Sequence, residues 1–144
     1  MISIAAVLAL AALGGCGDGE EEPGAGREGA GPLVRYGRSG GIAGVNEQLI
    51  VQPDGRATLT AGVDSNPVEF RLSEAELNSL RGSFDEAGFA ELYPDYRAST
   101  PGADFFQYEI AYGGHTVLTE TEAGPPELEP VIAALDRIVG QHYP

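Results

Sequence analysis

Residues 17–32 read GDGEEEPGAGREGAGP, a run with no aliphatic side chain larger than alanine and no ring except proline. Such a segment cannot bury enough apolar surface to offset its chain entropy, so it is expected to be a disordered, self-repelling spacer. It therefore cuts the 144-residue chain into unequal parts. Everything that can form a packed core lies in 33–144, enough for one domain of ordinary size. Everything before the spacer is a separate short element with its own logic.

That element is MISIAAVLALAALGGC. Met1–Leu13 carries no charge and only one polar residue, Ser3. It is too short to cross a bilayer as a helix, which takes about 20 apolar residues, and has the length of a signal-peptide core. It ends in Leu13-Gly14-Gly15-Cys16, which resembles the lipobox of bacterial lipoproteins. That resemblance implies cleavage before Cys16, with 1–15 as signal peptide, and a diacylglyceryl group on the Cys16 thiol. Lipid chains on one residue would hold the protein at the cell membrane, on its extracytoplasmic side. Cys16 is the chain's sole cysteine, so the same modification removes its one strong nucleophile.

Charge excludes some partners. There is no lysine, and 8 arginines face 22 acids, for a net charge of −14. Phosphate backbones are repelled by such a surface, so no nucleic-acid partner is expected. Five acids against one arginine put −4 on the spacer and leave −10 for the folding part.

Within 33–144 the pattern is α+β. LVRY, NEQLIVQ, RATLTA and PVEFRL read as strands, with Pro53-Asp54-Gly55 turning one pair into a hairpin. Ser73 and Glu76 form an S-x-x-E capping box, and Leu77, Leu80, Phe84 and Ala87 follow at helical spacing until Gly88. FAELYPDYRASTPGAD is read as irregular, with Phe89, Leu92 and Tyr93 sealing the core edge. FFQYEIAYGGHTVLTE is a hairpin whose Gly113-Gly114 turn sets Ile110 opposite Val117. Leu128, Val131, Leu135 and Ile138 mark a second helix. The expected architecture is an antiparallel sheet of about four to five strands with two amphipathic helices on one face.

Few residues suggest chemistry. His115 falls at a hairpin tip and His142 near the end, and neither belongs to a zinc-spaced cluster. No nucleophile–base pair stands out, so no catalytic residue, cofactor or metal is expected and the chain does not read as an enzyme. GRSGGIAG, 37–44, lacks the phosphate-loop endings. It reads as a glycine-rich loop between strands, either a wide turn or a presented loop. In the second case Arg38 is a cationic tip and Ile42 an apolar one.

VRYGRSGGIAGV, ADFFQYEIAYGG and PPELEPVIAALDRIV together resemble the emfourin family. The likeness runs over Leu33–Tyr143 and is strongest at Arg38–Gly44 and Asp104–Tyr108. Emfourins are small bacterial proteins, some of which inhibit thermolysin-type metalloproteases. The resemblance implies an extracytoplasmic domain that binds a protein partner and inhibits a secreted metalloprotease. A partner-binding loop then comprises Ser39, Gly40, Gly41, Ala43 and Gly44 around Ile42 as anchor, with Tyr36 and Arg38 as rim contacts. The alternative is an envelope lipoprotein with a structural or assembly role and no inhibitory activity.

Overall fold

A computed structural model describes residues 31–62, 64–97 and 104–143. Leu13, Gly14, Gly15, Cys16 and most of the acidic spacer lie outside the described residues. Strands β1 (Val34–Gly40), β2 (Val45–Val51), β3 (Arg56–Ala61) and β4 (Val68–Arg71) form a meander. Helix α1 (Glu74–Glu86) follows, then a 3-10 turn (Phe89–Glu91) and β5 (Asp95–Tyr96). Strands β6 (Phe106–Tyr112) and β7 (His115–Glu120) make a second hairpin, and a 3-10 turn (Pro126–Leu128) leads into α2 (Glu129–Gln141).

The fold is α+β, but the sheet is larger than expected and mixed. Seven strands run in the order β4-β3-β2-β1-β6-β7-β5, all neighbours antiparallel except β5 with β7. The one strand that falls outside every run read as a strand is β5, two residues long and too short to show any period. It forms because Leu118 N–H, on the outer edge of β7, donates to the Pro94 carbonyl at 2.9 Å. The strand is parallel because α1 and its 3-10 turn bring the chain back along β7 before it reaches β6. A second correction concerns 37–44: the glycine run does not leave the sheet at Gly37. Strand β1 continues to Gly40, because β2 and β6 pair with it on both sides along its whole length.

Registers sort the side chains into two faces. Val34, Tyr36, Leu49, Val51, Leu59, Ile110 and Val117 point to one side, where they meet Leu77, Leu80 and Phe84 of α1 and Val131, Leu135 and Ile138 of α2 in one core. The helices therefore share a face, as expected. The Ser73–Glu76 capping box is present in both directions, and Ser73 holds the Glu76 carboxyl below the usual carboxylate range through its side-chain hydrogen bond. Gly88, at φ 58°, stops α1. Phe89 is buried and packs edge-on against Phe84 at 5.0 Å, but Tyr93 is 76% exposed and seals nothing. The other sheet face carries Arg35, Gly37, Ser39, Gln48, Thr58, Gln107 and Glu109, and neither helix covers it.

Candidate functional site: the β1–β2 tip

The turn Gly41-Ile42-Ala43-Gly44 closes the β1–β2 hairpin. Gly44 N–H donates to the Gly41 carbonyl at 3.1 Å, and Gly41 N–H donates to the Phe105 carbonyl at 3.1 Å. The second bond ties the tip to the segment entering β6. Gly40 and Gly41 lie at φ +104° and +69°. A Cβ on Gly40 would come within 2.6 Å of the Phe105 carbonyl oxygen, and one on Gly41 within 2.8 Å of the Phe106 ring. These two glycines are thus required twice, by backbone conformation and by close approach. The turn they permit lifts Ile42 clear of the domain, at 87% exposure the most solvent-accessible large apolar side chain described.

Behind the turn, on the helix-facing side of the sheet, lies a polar cluster inside an otherwise apolar layer. Arg38 and Glu47 are register partners. Arg38 Nε donates to Glu47 Oε2 at 2.9 Å, and Nη2 lies 2.8 Å from the same oxygen. Nη1 reaches Asp136 Oδ1 of α2 at 3.3 Å. Tyr36 OH donates to that same Asp136 oxygen at 2.5 Å. The guanidinium carbon sits 5.2 Å from the Phe106 ring centroid, a cation–π distance.

The electrostatics follow from this geometry. Burial pushes the Tyr36 phenol far above its ordinary value, and the hydrogen bond to Asp136 adds to the shift. Burial alone would lower Arg38, but Asp136 and Glu47 outweigh it, so its affinity for the proton rises. Tyr108 is also raised, chiefly by burial. Tyr36 and Arg38 thus both hold their protons more tightly than usual, and the cluster acts as a clasp. It joins both strands of the hairpin to α2 and Phe106.

The expected loop residues therefore separate. Ile42, Ala43, Gly44 and Ser39 are exposed, and Gly40 and Gly41 form the constrained base. Tyr36 is 1% exposed, so it is a core side chain and not a rim contact. Arg38 is not a free cationic tip, since two carboxylates hold it inside. Glu47 and Asp136 were not singled out from sequence. Glu47 had a signal, because it alternates in step with Leu49 and Val51 and so must share their buried face. His115 is occupied as well, its Nε2 donating to the Leu92 carbonyl at 2.9 Å, while His142 stacks on Phe70.

Among the described residues no group of three or more His, Cys, Asp or Glu is placed to hold a metal ion, and no helix is long and apolar enough to cross a membrane. Fold and site together define a two-layer α+β domain that presents a stiff apolar hairpin tip. In comparison with known proteins, the chain matches no family model and no curated protein significantly.

Proposed function

We propose that this chain is a membrane-anchored envelope lipoprotein whose extracytoplasmic domain binds a protein partner through the Gly41–Gly44 tip, and that the partner is a secreted metalloprotease of the thermolysin type. The observation that carries the reading is Ile42. It is an apolar side chain held almost wholly in water on a turn whose base is bonded to Phe105 and backed by the Arg38 clasp. Exposing such a residue lowers solubility without helping the fold, whereas a pre-stiffened anchor loses little entropy on binding. Lipidation at Cys16 rests on the lipobox. The chain enters β1 at Val34 and the tip leaves it after Gly40, about 20 Å away at strand rise, so the two lie at opposite ends of the domain. A lipid-tethered domain of this shape can point its tip away from the bilayer.

The test is to titrate a thermolysin-type protease with the wild-type protein and with Ile42→Asp. The proposal expects inhibition by the wild type and roughly a thirtyfold or greater weakening in the variant, the size of a binding hot spot. Melting should be unchanged, since Ile42 packs against little. No inhibition by micromolar wild type would remove the protease. Equal inhibition by both proteins would remove the tip. The alternative, a structural or assembly role in the envelope, is favoured by the sheet face that neither helix covers. Pull-down of an envelope component insensitive to Ile42→Asp would support it.

A further inference from the structure

Gly37, in the middle of β1, occupies a position where the fold has no use for glycine. Its φ is not positive. Both registers pass through it without a bulge. A Cβ built there would meet nothing closer than 3.9 Å. Glycine inside a strand costs conformational entropy and packs nothing, so it marks a bend, a bulge, a crowded backbone, or a place where a ligand approaches. The first three are absent. On the uncovered face Gly37 lies at the floor of a concavity of about 280 Å³, walled by Ser39, Asn46, Gln48, Gln107 and Glu109.

The chemistry of the walls narrows the occupant. The volume falls just below the range of drug-sized ligand sites, about 300–1,000 Å³, and suits one long side chain. The strand aromatics Tyr36, Phe70, Phe106, Tyr108 and Tyr112 all fall on the opposite face by register, so no ring is available to stack a sugar. Glu109 is exposed and has no ion-pair partner among the described residues. Arg97, the one cation on the open rim, is already neutralised by Asp95. The depression thus offers one unpaired carboxylate flanked by the side chains of Gln48 and Gln107, the cross-strand neighbours of Gly37 and Ser39.

We infer that the concavity over Gly37 receives a lysine or arginine side chain of the protein partner, paired with Glu109. This inference rests on the protein-binding reading above and adds to it a second contact. Gly37 and Ile42 are five residues apart on one hairpin, roughly 15 Å at strand rise, so a partner that grips the tip meets the depression without any rearrangement.

The test uses a partner-independent probe. Amide shifts of the full chain in detergent micelles at physiological ionic strength are followed by NMR during titration with acetyl-Gly-Arg-Gly-amide, and separately with its citrulline isostere. Saturable shifts centred on Gly37, Gln48 and Glu109 in the millimolar range are expected for the arginine peptide. Binding should weaken by about tenfold or more with citrulline and with Glu109→Gln, the equivalent of losing one charge-assisted contact. Gly37→Thr should fill the depression and abolish binding while melting at or above the wild-type temperature. Glu109→Gln keeps the test decisive if Gly37→Thr fails to fold. Shifts scattered over the acidic helices, equal binding of citrulline, or an unaffected Glu109→Gln variant would each overturn the inference. A protease titration that fails while the peptide still binds at Gly37 would sink the protease reading alone, and the reverse pattern would sink only this site.

Discussion

Arg38→Met tests whether the tip is held from behind by a charge or only by packing. Methionine keeps most of the aliphatic stem and removes the cation, together with its contact over the Phe106 ring. What remains is the Glu47 carboxylate, whose side chain is 2% exposed and which has lost both nitrogens within 2.9 Å. Removing one partner of a buried pair costs about 3–5 kcal/mol, because the surviving charge has neither water nor counter-ion. Arg38 itself is 22% exposed, so solvent reaches the vacated side and relieves part of that cost. The expected loss is therefore about 2–3 kcal/mol. In a domain of about 110 residues, each kcal/mol moves the melting temperature by about 4 °C, so the midpoint should fall by roughly 8–12 °C. Urea denaturation of the wild type, Arg38→Met, Glu47→Leu and the double variant gives the coupling directly. The double variant should recover most of the loss, since an apolar pair of similar volume often replaces a buried ion pair at little cost. An Arg38→Met loss under about 0.5 kcal/mol, or a double variant as unstable as the sum of the singles, would refute the reasoning. Either result would mean that Glu47 does not depend on Arg38.

Two further perturbations probe the same hairpin. Gly40→Ala forces a Cβ toward the Phe105 carbonyl at φ +104°, so a cost of about 2–3 kcal/mol and loss of inhibition are expected; urea midpoints check the first and protease titration the second, and a neutral Gly40→Ala would mean the tip is not constrained as described. Tyr36, whose phenol is raised by burial and by Asp136, should resist ionisation near pH 10 in the native state, while the unfolded chain loses that proton at its ordinary value. Its contribution to stability is thus complete below about pH 10 and declines as pH rises further, because ionisation then favours the unfolded chain. Urea midpoints between pH 9 and 11 should fall less steeply for Tyr36→Phe than for the wild type, and parallel curves would contradict the burial argument.

How much of this was legible in sequence depended on the range of the interaction involved. Local devices read correctly. Ser73 and Glu76 cap α1, and Ile110 pairs with Val117 across the Gly113-Gly114 turn, because each is decided by neighbours within a few residues. Features set by distant partners did not. Residues 95–96 become a strand only because the edge of β7 offers Leu118, more than 20 positions later in the chain. The glycines from Gly37 to Gly40 looked like loop because isolated propensity disfavours them in strands, yet two flanking strands impose the extended conformation. Arg38 looked like a free tip because nothing near it in sequence reveals Asp136, 98 residues away.

The departures from local rules are densest in one hairpin. Within β1, β2 and their turn lie a strand glycine with no structural cause, two glycines in left-handed conformations against neighbouring backbone and ring, a carboxylate buried on the core face, and the most exposed large aliphatic described. Elsewhere the departures are more dispersed: Gly82 inside α1, the buried Glu120 in β7, and Glu122 at φ 66°. A sequence selected only to fold would have valine or threonine at 37, a polar residue at 42 and an apolar pair at 38 and 47. Each change would cost the fold nothing or stabilise it. Their joint absence from one hairpin is therefore best accounted for by what that hairpin must hold. The buried clasp sets the direction of the tip relative to α2, the glycines set its shape, and Ile42 and the hollow over Gly37 present the surface to be recognised.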